Sequence, residues 1–279
     1  VNFCCSTLSQ DLPFAIGRFS PVSEGEGDTQ EMYMIKKYSQ EKTIHLVIDR
    51  PDKKNALNRN MYEQLAGYVR EASSDQHVHA IVISGAEGVF TAGNDLDDFR
   101  ARATDENPKP SAGLAFIEEL MACDTPVIAA VEGLAIGIGT TMLLHCDSVF
   151  AGRSARFKTA FVDLGLVPEA ASTVTMPLHL GSRMAAELLL LGETLDGTQA
   201  GECGLVSRVV DDGQAVDSAL ALAGRLGEKP REALRASKRL MKAPWRDQVQ
   251  QALERERGVF SERLRSDDCR NALSRMQRR

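Results

Sequence analysis

The chain has 279 residues, 43% of them hydrophobic and 26% charged, which is enough for one large core and unlike a disordered chain. A formal net charge of −6 excludes the basic surplus usual in a nucleic-acid binder. No apolar run approaches the ~20 residues needed to cross a bilayer, and the first residues lack the charged-then-apolar order of a secretory signal.

Residues 1–31 show no sustained periodicity and end in a polar stretch, so a flexible arm is expected there. An α/β core over 32–200 and a helical region over 201–279 are expected to follow. The run Thr43–Ile48 alternates like a strand and is ended by the turn Arg50-Pro51-Asp52. Residues 58–72 carry Met61, Leu65, Tyr68 and Val69 at helical spacing. The stretches 80–84, 126–131 and 148–151 are short apolar runs suited to strands buried on both faces. Helices are expected over 112–122 and 140–146. Strands alternating with helices over this length imply mostly parallel pairing. Beyond Pro177 the periodicity is helical, over 183–191, 215–226, 230–241 and 248–264, with few strand signals between. Those apolar faces need a partner, either the core or a neighbouring subunit. Six cysteines (Cys4, Cys5, Cys123, Cys146, Cys203, Cys269) form no CxxC pair and no metal-type spacing with the five histidines. They read as reduced thiols, so a cytoplasmic location with no metal is expected.

Two glycine-containing segments carry the chemistry. The first, at 91–96, places Gly93 directly before Asn94, where a backbone turn lets a ligand approach the amide closely. The second, GLAIGIGT at 133–140, lies between an expected strand and helix, where free amides attract negative charge. It lacks the third glycine and the later acidic residue of a dinucleotide fingerprint.

With their neighbours, these segments resemble the enoyl-CoA hydratase/isomerase (crotonase) superfamily. The resemblance rests on Arg50-Pro51 with Asn55-Ala-Leu-Asn58, FTAGNDL at 90–96, PVIAAVEG at 126–133 with Gly137 and Gly139, Cys146-Asp147, Ala155-Arg-Phe157, GLVP at 165–168, and Ala200-Gly with Gly204-Leu-Val206. It implies a crotonase (ClpP-like) fold, α/β with repeated ββα units followed by a C-terminal helical layer, assembled as a homotrimer or dimer of trimers. The implied substrate is an acyl-CoA thioester, coenzyme A being part of that substrate rather than a separate cofactor. By position, the amides of Asn94 and Ile138 would form an oxyanion hole. The resemblance also sets Lys54, Asn55, Ala56, Leu57, Ala92, Gly93, Leu96, Gly137 and Phe161 beside the substrate, with Lys54, Arg275 and Arg278 as candidates for its phosphates.

Hydration of a double bond calls for two carboxylates, one to activate water and one to deliver a proton. At the positions where the family's hydratases carry them, this chain has Thr141 and Phe161. One carboxylate remains in the region, Glu169 after Pro168, in a stretch otherwise apolar or small. That pattern is similar to the family's Δ3,Δ2-enoyl-CoA isomerases of the peroxisomal type. Asp95 reads as a structural cap, His145 as a buried hydrogen-bonded histidine, and Asp163 could face either solvent or pocket. Double-bond migration is the expected reaction, with hydratase-like or hydrolase chemistry on a specialised acyl-CoA, or non-catalytic CoA binding, as the alternatives.

Overall fold

A computed structural model describes residues 20–21, 34–105 and 109–276. The expected arm lies outside the described residues except for β1 (Ser20–Pro21), which pairs antiparallel with β2 (Ile35–Gln40). Arg278 lies outside them as well.

From β2 the chain turns into β3 (Thr43–Ile48) and then α1 (Arg59–Ser74), whose first turn is capped by the Asn58 side chain accepting from the Met61 amide at 3.0 Å. β4 (Ala80–Gly85), α2 (Leu96–Thr104), α3 (Ala112–Ala122) and β5 (Val127–Val131) follow. β3, β4 and β5 run parallel, with Ile81 opposite Val127, and β7 (Ser148–Gly152) and β10 (Arg208–Val210) extend the sheet, giving the order β1-β2-β3-β4-β5-β7-β10.

The near-continuous apolar runs of β4 and β5 arise because helices cover both faces. Alternate residues Ile81, Ile83, Val127 and Ala129 join Leu65 and Val69 of α1 and Phe116 and Leu120 of α3 in the main core. The intervening Ala80, Val82, Ile128 and Ala130 face Ala215, Ala219 and Ala223 of α8 (Ala215–Gly227). Small residues on α8 let that helix lie close to the sheet.

A second sheet joins β6 (Leu134–Ile136) to β8 (Arg156–Lys158) in parallel, and β8 to β9 (Thr194–Asp196) antiparallel. Sequence periodicity misses these three-residue strands and β10, which are too short to show alternation. The helix expected over 140–146 begins earlier, as a single turn, α4 (Ile138–Thr141), and continues as a 3-10 segment to His145. The remaining helices are α5 (Ser172–Leu180), α6 (Ser182–Ala186), α7 (Gly197–Glu202), α9 (Arg231–Lys242), α10 (Arg246–Leu264) and α11 (Asp267–Met276). α9 is tied to the sheet by the buried Lys238, whose Nζ donates to the Thr125 carbonyl at 2.8 Å and to Asp147 at 2.5 Å. Among the described residues, no helix is long and apolar enough to cross a membrane.

Asn55 pins the loop after β3. It is fully buried, its Oδ1 accepts from the Arg50 amide at 2.8 Å, and its Nδ2 donates to the Ala86 and Val89 carbonyls at 3.0 and 2.6 Å. Asn55→Ala would leave these backbone groups unsatisfied. A loss of about 2–4 kcal/mol of unfolding free energy is expected, measured by urea denaturation.

Candidate functional site

The site is built by two loops lying side by side. The Thr91 amide donates to the Leu134 carbonyl at 2.8 Å and the Ile136 amide to the Thr91 carbonyl at 3.1 Å, so residues 91 and 135 pair in parallel register. On its other side the first loop pairs with the chain after Asn55. There Leu57 donates to the Gly93 carbonyl at 2.7 Å and accepts from Asp95 at 2.9 Å, an arrangement that turns the Asn94 amide away from Leu57. Asn94 and Ile138 each lie three residues beyond the paired Thr91 and Ala135. Neither amide has a protein acceptor among the described residues. Free backbone donors at the same end of two rigid segments are what a developing oxyanion requires.

Two glycines make this approach possible. Gly93 has φ +90°, and a Cβ there would sit 2.6 Å from the Ile136 carbonyl oxygen. Gly137 has φ +57°, which turns the chain into α4 while its own amide donates to the Lys158 carbonyl at 2.8 Å. Because α4 is a single turn, the Ile138 amide acts as a local donor rather than as the end of a long helix dipole.

Glu169 stands beside the residues that carry these amides, bonded to the Asn94 side chain and sharing a pocket with Ile138. It lines a small pocket of about 50 Å³ together with Ile138, Arg102 and Glu256. Its Oε1 accepts from the Asn94 side-chain Nδ2 at 3.1 Å, and the Asn94 Oδ1 in turn accepts from the Tyr62 hydroxyl at 2.6 Å. Burial pushes the Glu169 carboxyl up to about 7, the Asn94 bond and the Arg102 charge pull it down, and the Glu256 charge adds to the rise. A carboxylate titrating near neutrality can both take and return a proton.

The cleft outside the pair of amides has a volume of about 1150 Å³ and is lined in part by Ala56, Ala92, Gly93, Asn94, Leu96, Gly137 and Phe161. Leu57 lines a neighbouring cavity of about 280 Å³ with Tyr62, Asn94 and Arg102. Two expected substrate contacts are placed differently. Lys54 occupies a left-handed turn (φ +50°) with its side chain exposed and outside the cleft, and Lys53 lines the cleft instead. The Asn55 side chain is committed to the backbone bonds described above and does not face the cleft. Arg275 lines the cleft.

Thr141 is fully buried, its hydroxyl 3.4 Å from the Gly137 carbonyl, and Phe161 is also buried. Asp163 is half-exposed and pairs with Lys158 at 3.1 Å. Asp95 caps α2, accepting from the Asp97 amide at 2.8 Å, and holds Arg50 at 2.5 Å. His145 is buried, its Nε2 donating to the Ala170 carbonyl at 2.7 Å, and burial pushes it down to about 4, so it is neutral near pH 7. Cys123, Cys146, Cys203 and Cys269 are free thiols, and Cys4 and Cys5 lie outside the described residues.

Sequence reasoning missed Tyr62, Arg102 and Glu256. Two of them had a signal. Tyr62 adds a polar-tipped aromatic to the buried face of α1, and Glu256 interrupts the buried stripe of α10 after Ala252 and Leu253. Arg102 gave none.

The sequence profile described as enoyl-CoA hydratase/isomerase matches residues 39–279. The 1,2-epoxyphenylacetyl-CoA isomerase of Escherichia coli K12 is 33% identical over 250 residues, covering 87% of this chain and 95% of that protein. Enoyl-CoA delta isomerase 2 of Rattus norvegicus is 31% identical over 252 residues, covering 89% of this chain and 64% of that protein. Relatives named as hydratases match as well. The solved structure of OdaA from Pseudomonas aeruginosa superposes with a TM-score of 0.85 at 41% identity, covering 88% of this chain and all of that one, 100%.

Gly93→Ala tests the geometry directly. The added methyl group would force the two loops apart without removing any side chain of the site. Acyl-CoA turnover is expected to fall ~10²-fold with the circular dichroism spectrum retained.

Proposed function

The chain belongs to the enoyl-CoA hydratase/isomerase family, with its crotonase fold and acyl-CoA chemistry, and we propose that within it this protein moves the double bond of a 3-enoyl-CoA to the 2 position. The observation that carries this reading is Glu169, bonded to the Asn94 side chain and sharing a pocket with Ile138, both residues with acceptor-free amides, while the other carboxylate of that pocket, Glu256, is taken up by Ala171 and Thr173.

The thioester carbonyl accepts hydrogen bonds from the Asn94 and Ile138 amides. These preorganised donors are worth ~3–4 kcal/mol each once negative charge develops on the oxygen. Glu169, deprotonated, takes a proton from C2. The C2–H electrons form a dienolate whose charge rests on the thioester oxygen. The new carboxylic acid then delivers the same proton to C4, the carbonyl reforms, and the double bond lies between C2 and C3. Atoms balance without water or any co-reactant. Asn94 serves twice, its backbone facing the oxyanion and its side chain holding the Glu169 carboxylate.

Paired-carboxylate hydration fits these residues less well. Thr141 and Phe161 bear no acid, and the nearby Glu256 already accepts three hydrogen bonds from Ala171 and Thr173. We also propose a homotrimer, which would cover apolar side chains this chain leaves exposed, among them Leu190, Leu191, Leu240 and Met241.

Supplied with a 3-enoyl-CoA, the protein should produce the conjugated 2-enoyl-CoA, followed by its ultraviolet absorbance. Glu169→Gln should lower kcat by roughly 10³-fold with acyl-CoA binding intact. Undiminished turnover in that variant would remove Glu169 as the base.

The pH dependence has a definite sign. The base must be ionised, and its carboxyl is raised to about 7, so kcat/KM should climb with pH through that value and level off above it. A plateau reaching down to pH ~4.5, where an ordinary glutamate ionises, would contradict this reading.

A further inference from the structure

The turn that presents Glu169 is an unfavourable piece of backbone. Ala170 and Ala171, which follow it directly, both have left-handed dihedrals, φ +62° and +55°, a region that residues with a Cβ rarely occupy. Something outside the turn must hold it. α5 begins at Ser172 without a side-chain cap from its own N-cap residue, Ala171. The acceptor comes from α10. The buried Glu256 takes the Ala171 amide on Oε2 at 2.6 Å, and the Thr173 amide and hydroxyl on Oε1 at 2.9 and 2.5 Å. On the other side, His145 bonds the Ala170 carbonyl.

We propose that Glu256 is a positioning residue for this site, its buried carboxylate clamping the strained turn that presents Glu169. The proposal rests on Glu169 being the base. Three donors on one carboxylate leave no room for the turn to relax without breaking a buried hydrogen bond. Glu256 also lines the same small pocket as Glu169, close enough for its charge to act on the base.

The other groups around the base come from several elements: the Tyr62 hydroxyl from α1, Arg102 from α2, Arg257 from α10 and the neutral His145. Of these, Arg102 opposes the effect of Glu256, while Glu256 reinforces burial in keeping the Glu169 proton on. A residue of α10, 87 positions along the chain from the base, thereby fixes both where the base stands and when it ionises.

The test uses two full-length variants, Glu256→Gln and Thr173→Val, with two readouts. One is the kcat and KM split with a 3-enoyl-CoA. The other is the titration of the Glu169 carboxyl, followed by carbon-13 NMR on glutamate-labelled protein and assigned with Glu169→Gln. Glu256→Gln keeps the shape, removes the charge and sets an NH2 group against the donors of Ala171 or Thr173, so the turn should loosen and Glu169 should titrate lower by about half a pH unit or more. The acidic limb of kcat/KM should move with it, and kcat should fall while KM holds. Thr173→Val removes one of the three donors and should lower kcat with KM unchanged; it decides the matter if Glu256→Gln does not fold. An unmoved Glu169 titration in a folded Glu256→Gln, or an unchanged kcat in Thr173→Val, would overturn the proposal. If the wild type turns over no 3-enoyl-CoA, the isomerase reading fails, and the titration alone still judges the link between Glu256 and Glu169.

Discussion

The side-by-side pairing of the loop around Thr91 with the strand Leu134–Ile136 is the constraint on which the site depends. Ordinary ladder bonds consume the amides of Thr91 and Ile136, and the flanking pairing at Leu57 consumes that of Asp95. What the ladders leave over are the amides of Asn94 and Ile138. Their freedom is a consequence of sheet register rather than of any special side chain. The large sheet stands behind them, covered on both faces, so the loops emerge from strands that cannot shift without disturbing the core.

The base is held by a different logic. Glu169 sits in an irregular turn that no sheet supports, and its position is set by side chains arriving from elsewhere: Asn94 on its carboxylate, and His145 and Glu256 on the two residues after it. Tyr62 extends the chain of hydrogen bonds through Asn94 to α1. The proposed oxyanion donors and the proposed base therefore share one residue, Asn94, whose backbone belongs to the first and whose side chain holds the second. Burial by the protein raises the Glu169 carboxyl toward neutrality, and the same low-dielectric surroundings strengthen hydrogen bonds from the amides.

Much of this could be read from the chain alone, because the signals were local. The buried strands follow from runs such as Ala80–Gly85, whereas Asn94, Ile138 and Glu169 are marked out by the family resemblance of the segments that carry them. What escaped were features fixed only in three dimensions. Strands of three residues, such as Thr194–Asp196, carry too little pattern to be told from loop. Adjacent lysines cannot be separated by sequence, and the left-handed turn at Lys54 sends Lys53 to the cleft instead. Asn55 belongs to a string expected beside the substrate, yet its side chain is spent on backbone groups. Glu256 was legible only as an acid on a buried helical face, with nothing local to say what it holds.

The central claim, one carboxylate moving one proton across an enolate held by two amides, is tested most directly by the fate of that proton. A 3-enoyl-CoA deuterated at C2 would be converted in ordinary water within a single turnover, and the product analysed by mass spectrometry and NMR. The account predicts deuterium recovered at C4 of the 2-enoyl-CoA, since the carboxylic acid returns what it took. A product with no deuterium at C4, or one bearing a hydroxyl group at C3, would contradict it.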